Sequence, residues 1–184
     1  MVALIVLAVL LVGFFLWLMG SYNGLVRLKV QGENAWADID VHLKRRHDLI
    51  PNLVETVKGY ATHEKGTLEA VIAARNSAVS AQGPAAKAEA EGILTGALRQ
   101  VFALAEAYPQ LRAVESFTSL QQQLSGIEDA LQNARRYYNA VVRDFNTSIE
   151  QFPSNIVAGM FHFKEREFFE LKDEAERAVP KVSF

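Results

Sequence analysis

The chain contains no cysteine. That absence removes disulfides, thiolate metal sites and cysteine nucleophiles together. A basic excess is also missing: the formal net charge is −2. Phosphate binding normally needs a broad cationic surface, so nucleic acid is not an expected partner. No stretch longer than a few residues alternates apolar and polar side chains with period two, which leaves nothing to read as a strand. No G-x-S-x-G, P-loop or dinucleotide glycine pattern occurs. Prolines number only five, and two of them, Pro51 and Pro109, interrupt helical patterns. The 184 residues, half of them hydrophobic, suffice for one domain with a real core.

What is present begins with MVALIVLAVLLVGFFLWLM. From Val2 through Leu10 to Met19 the chain runs eighteen residues without a polar side chain. At the helical rise this spans roughly 27 Å, close to the hydrocarbon thickness of a bilayer. A cleaved signal peptide is disfavoured, because no Lys or Arg precedes the run and "GSYNG" after it lacks a small-residue cleavage pattern. Trp17 and Tyr22 suit the aromatic belt at a membrane surface. Residues 1–20 are therefore expected to be a single transmembrane anchor. The nearest cations, Arg27 and Lys29, follow the run, so the positive-inside rule predicts an outside N-terminus and a cytoplasmic body.

The body reads as all-α. Its strongest seam steps four and three residues in alternation, the period of bundle helices: Leu120, Leu124, Ile127, Leu131, Ala134, Tyr138, Val141, Phe145, Ser148, Phe152. A second seam runs from Leu25 through Ala35, Ile39, Leu43, Arg46, Ile50, Leu53 and Val57 to Tyr60. The sharpest turn signal is "SAQGPAAKAEAEG". Two architectures fit residues 21–151. In one, the prolines open helices of an antiparallel up-and-down four-helix bundle with helices near 21–48, 50–80, 87–107 and 110–151. In the other, they kink two very long helices of a single hairpin.

The word Y-N-x-x-V-R occurs twice, from Tyr22-Asn23 and from Tyr138-Asn139. Both this pair and the pair Pro51 and Pro109 are centred on residue 80, beside the expected turn. If the chain doubles back there, the two words come level near the membrane, where Asn amides and Tyr rings would meet across the seam. The alternative is chance repetition. Level words carry a difficulty, because the last helix would then push Arg143, Asp144 and Glu150 toward lipid.

Read together, the apolar run followed by "YNGLVRL", then "HLKRRHDLIPNLVETVKGYATHE", "AYPQLRA" and "RRYYNAVVRDFN", resembles the LemA family. The ending "FP…A…F" with Pro180, Val182 and Phe184 is similar too. The likeness covers nearly the whole chain with its blocks in order. It implies a protein of the bacterial cell membrane with an N-terminal anchor and a cytoplasmic domain of four-helix-bundle type. It supplies no reaction and no catalytic, cofactor or metal residues. Some members are linked to building or shaping internal membranes, and the gene neighbourhood makes membrane metalloproteases and TPM-domain proteins candidate partners.

The residues themselves offer little chemistry. His63-Glu64 starts H-E-x-x-H, but Thr67 stands where the second histidine belongs, so the zinc-hydrolase reading fails. His63, Glu64 and Glu69 could form a carboxylate–imidazole patch; a solvated helix face is the plainer reading. Lys44-Arg45-Arg46-His47-Asp48 is the densest basic cluster. On a continuous helix it stands roughly 37 Å beyond Met19, several Debye lengths of about 8 Å. A protein partner, internal pairing or a solvated face is expected there before lipid. Arg46 falls on the apolar seam and calls for a facing carboxylate, Glu106 or Glu115 by position.

Residues 152–184 hold six of the eleven phenylalanines. Phe161, Phe163, Phe168 and Phe169 are too many for a free polar tail. "FKEREFFELKDEAERA" is expected to form a short amphipathic helix, with its aromatic face on the bundle, on a neighbouring subunit or on lipid. The combined expectation is a non-enzymatic, membrane-anchored scaffold that forms homo-oligomers, with ordered membrane shaping as a narrower form. An accessory role beside a membrane protease or TPM-domain protein is the alternative, and a hydrolase with an undiagnosed site ranks last.

Overall fold

Helix accounts for nearly all of the computed structural model, which describes residues 1–61 and 63–170. In chain order the helices are α1 (Val2–Lys58), α2 (Lys65–Ser80), α3 (Pro84–Ala107), α4 (Pro109–Arg112), α5 (Glu115–Glu150) and α6 (Ser154–Met160). No strand occurs among the described residues. The all-α expectation holds.

Helix ends follow local chemistry. Gly59 stops α1, and the Val57 carbonyl accepts from both Tyr60 (3.0 Å) and Ala61 (2.8 Å) as the last turn tightens. Between α2 and α3 the chain reverses at Gly83, whose φ of 81° lies in the left-handed region that favours glycine. Pro84 then occupies the first turn of α3, where its missing N–H costs nothing. Tyr108 is held extended ahead of Pro109 and ends α3. At the end of α5, the Ser154 hydroxyl donates to the Ser148 carbonyl at 2.7 Å, occupying an acceptor that the helix leaves open.

Among the described residues two compact units are distinguished by their contacts: 1–40 with 133–167, and 41–132 with 168–170. The second unit packs α1, α2, α3 and α5 around one core, as in the bundle, one of the two architectures that fit the sequence. Leu53 and Val57 of α1, Leu68 and Val71 of α2, Leu94 and Val101 of α3, and Phe117 and Leu120 of α5 all belong to it. Phe102 and Phe117 meet edge-on with centroids 6.3 Å apart.

The first unit pairs the earlier part of α1 with the later part of α5. Trp36 packs on Tyr138 with centroids 5.4 Å apart, and α6 lies along α1. The segment of α1 that begins at Val2 is long and apolar enough to cross a membrane; its best window has mean hydropathy 3.0, and none of it is buried.

One open alternative is decided, and two expectations need correction. Pro51 neither starts nor ends a helix, because α1 continues through it to Lys58. The break falls at residues 59–64 instead, so Tyr60 leaves the seam and is 49% exposed. Next, the two Y-N words are not level. Tyr138 faces Trp36, fourteen positions beyond Tyr22, or about 21 Å along the helix. That offset removes the difficulty at the end of α5, since Ser148 shares a groove with Ser21, Gly24 and Leu28, past the apolar run. Finally, residues 163–170 are not helical, and a short helix lies earlier, in α6. The rest of the expected tail helix, with Pro180, Val182 and Phe184, lies outside the described residues.

Candidate functional site

Arg46 enters the second unit because the four–three period of α1 points it inward; it is 4% exposed. Its guanidinium reaches three acceptors. Nη1 meets Oε2 of Glu91 at 3.2 Å, while Nη2 donates to Oγ1 of Thr95 at 2.6 Å and pairs with Oε2 of Glu128 at 3.3 Å. Glu91 and Thr95 are four apart on α3 and so share one face. The neighbouring His47 places Nε2 2.6 Å from the other Glu91 oxygen. The carboxylates are thus Glu91 and Glu128, not Glu106 or Glu115.

From α2, Arg75 completes the set by donating Nε–H to the main-chain oxygen of His47 at 2.8 Å. Proline at position 51 has no N–H to give that carbonyl, four residues back. Arg75 takes the place of the absent helical donor. The basic run splits accordingly: Arg46 and His47 are buried, Lys44 and Arg45 exposed.

The network is closed upon itself. Both Glu91 oxygens are engaged, and every buried side-chain nitrogen or oxygen among the described residues has a hydrogen-bond partner. No group of three His, Asp or Glu among the described residues could hold a metal ion. Such a centre specifies how four helices dock. Sequence reasoning found Arg46, and His47 only as part of the basic run, but missed Arg75, Glu91, Thr95 and Glu128. Only Arg46 sat on a seam and so carried a signal.

The His63-Glu64 patch has a structural task. Glu64 Oε1 accepts from the Tyr108 hydroxyl at 3.1 Å, tying the linker after α1 to the end of α3. That bond, with a smaller part from desolvation, raises the Tyr108 pKa above its ordinary value.

In the first unit, an aromatic clasp gathers the tail. Tyr22 packs on Phe161 and Phe163 with centroids 4.6 and 5.9 Å apart, and Phe163 meets Phe145 at 6.2 Å. Beyond it, Asn146 holds the backbone at Arg166. Its amide donates to the Arg166 carbonyl at 2.9 Å and accepts from the Arg166 N–H at 2.9 Å. The Tyr138 hydroxyl donates to the Glu167 carbonyl at 2.8 Å; burial raises the pKa of this phenol. Arg166 reaches α1 at the Lys29 carbonyl and the Glu33 carboxylate, each at 3.3 Å. Gly32 admits it, since a β-carbon there would stand 2.5 Å from Nη1.

Of the remaining expected residues, Asn23 is exposed and Asn139 half-buried. In the second unit, Phe168 is half-buried and Phe169 is 2% exposed.

Comparison with known proteins places this arrangement in context. The model of the LemA family matches residues 35–184. Magnetosome protein MamQ 2 of Paramagnetospirillum magneticum is 26% identical, over 96% of this chain and 75% of its own length. Magnetosome protein MamQ of Magnetospirillum gryphiswaldense is 24% identical, over 92% and 72%. Protein LemA of Metamycoplasma hominis is 28% identical, over 82% and 69%.

Proposed function

The chain belongs to the LemA family, and from that membership we propose that it is a membrane-anchored scaffold that works by assembly and not by catalysis. One observation carries the reading. The fully exposed apolar segment of α1 and the α1 residues in the bundle core belong to a single unbroken helix. A helix of that kind is an anchor joined to its load without a linker. The closed Arg46–Glu91–Glu128 centre supports a structural role for the polar interior. The relatives named for the magnetosome take their name from a structure, not a reaction.

In this reading α1 crosses the bacterial cell membrane once, with its N-terminus outside and the helical body in the cytoplasm. Several copies associate through their membrane-proximal parts, and ordered association would bend or organise the bilayer. The mass of the full-length protein in mild detergent, measured beside a variant lacking residues 1–20, tests the assembly. A discrete oligomer that requires the first twenty residues is expected. A monomer in both preparations overturns self-association. Protease accessibility in spheroplasts tests the orientation, and digestion of the body from outside reverses it.

A further inference from the structure

The outer side of the segment around α6 has no cover among the described residues. Phe152, in the turn before the helix, is 75% exposed; Ile156 is 51% and Met160 60% exposed. Ile156 and Met160, four apart within α6, share one helical face, and Phe152 precedes them in the turn. The opposite face is buried: Val157 and Ala158 pack with Leu25, and Trp17, Leu18, Ile149 and Phe163 close around them. Trp17 and Leu18 are the end of the apolar run. The level of α6 is thereby fixed beside the last turn of that run, where the neighbouring α1 side chains Leu16 and Met19 are also exposed, at 64% and 59%.

The chain around α6 is composed accordingly. From Gln151 to Phe163 it holds no Asp, Glu, Lys or Arg, and Glu150 and Lys164 bound the stretch on either side. Charge is what a segment entering the lipid boundary must avoid. Tyr22 and Phe161, stacked beside it, are rings suited to the headgroup level.

We propose that α6 is a second membrane contact, in which Phe152, Ile156 and Met160 enter the interfacial layer of the same bilayer that α1 crosses. The occupant of this face is lipid because α6 packs directly on Trp17 and Leu18, at the end of the apolar run. A protein partner would have to displace the lipid already surrounding that run. Docked in this way, α6 fixes the depth of α1 and shields Trp17 and Leu18 on one side only. The inference rests on the reading of α1 as a membrane span.

Because the chain has no cysteine of its own, single cysteines can report on it directly. Full-length protein carrying Ile156→Cys, Met160→Cys, Asn155→Cys or Leu10→Cys would be labelled with bimane and reconstituted into phosphatidylcholine–phosphatidylglycerol vesicles. Quenching is read from lipids with a nitroxide near the headgroup, from lipids with one deep in the acyl chain, and from aqueous iodide. The expected result is several-fold stronger shallow-lipid quenching at positions 156 and 160 than at 155, with deep quenching at position 10. Quenching at position 10 while 156 and 160 behave like 155 overturns the contact and leaves the span standing. Protection of 156 and 160 from both lipid and iodide means that protein covers the face, which also overturns it. No lipid quenching at position 10 removes the span and this inference with it.

Discussion

Arg75 donates to the main-chain oxygen of His47, the carbonyl that Pro51 leaves without a helical partner. The bond joins α2 to the middle of α1 and explains how a proline sits inside a long helix without ending it. It also predicts coupling between two residues distant in sequence. Arg75→Ala should destabilise the protein by about 1–2 kcal/mol, since a part-buried acceptor loses a charged donor. In a Pro51→Ala background the helix supplies its own N–H, so the same change should cost clearly less. A double-mutant cycle by urea denaturation measures the difference, and strict additivity would refute it.

The buried centre around Arg46 depends on both the charge and the forked shape of the guanidinium. Arg46→Ala leaves Glu91 buried without its guanidinium and should cost about 3–5 kcal/mol. Arg46→Lys should restore only part of this, because one ammonium cannot fork toward Glu91, Thr95 and Glu128 together. Equal stability of the lysine variant and the parent in urea titrations would contradict the assigned geometry.

Tyr138 links stability to alkaline pH. Burial raises its pKa above the free phenol value of about 10, so the folded state holds this proton more tightly than the unfolded state. Its contribution is whole below pH ~10 and is lost as pH rises from there through the folded pKa. Tyr138→Phe keeps the ring against Trp36 and should flatten the fall in melting temperature above pH ~10. At neutral pH it should cost about 1 kcal/mol for the lost bond to the Glu167 carbonyl. Tyr138→Ala removes the ring as well and should cost about 3–5 kcal/mol.

Asn146 governs the tail locally. Asn146→Ala takes away both bonds to the Arg166 backbone and should speed amide exchange at Arg166 and its neighbours. The global cost should be small, about 1 kcal/mol. Asn146→Asp keeps the acceptor and loses the donor, so an intermediate exchange rate is expected. Unchanged exchange in the alanine variant would mean that the aromatic clasp alone holds the segment.

The helical class and the inward face were legible because a four–three period needs no tertiary information: Leu25, Ile39, Leu53, Leu124 and Phe145 are all buried as the seams predict. Register was not legible, and the same period is the reason. Sliding one helix by fourteen residues, two heptads, leaves each seam residue facing inward. Level Y-N words and the observed pairing of Trp36 with Tyr138 therefore satisfy one pattern equally. The fate of Pro51 depended on Arg75 lying nearby in space, which no local signal carries. The non-helical backbone at 163–170 overrides a helical pattern because Asn146 and Tyr138 bond its main chain directly. The break at 59–64 did have a local signal, Gly59 directly after the last helical residue, Lys58.

The unbroken course of α1 from the apolar run to Leu25 has an angular consequence. Each residue of a helix turns it by about 100°, so Trp17 and Leu25 keep a fixed phase about the axis. One residue inserted after Gly20 would rotate the apolar run by that angle while Leu25 stayed in place beneath Val157. The α6 side chains would then meet a different stripe of the run. Two or three further insertions would bring the original stripe nearly back into line, one helical turn farther out. Function that depends on α6 should fail and recover with that rhythm, as it does when a key is turned in a slotted shaft.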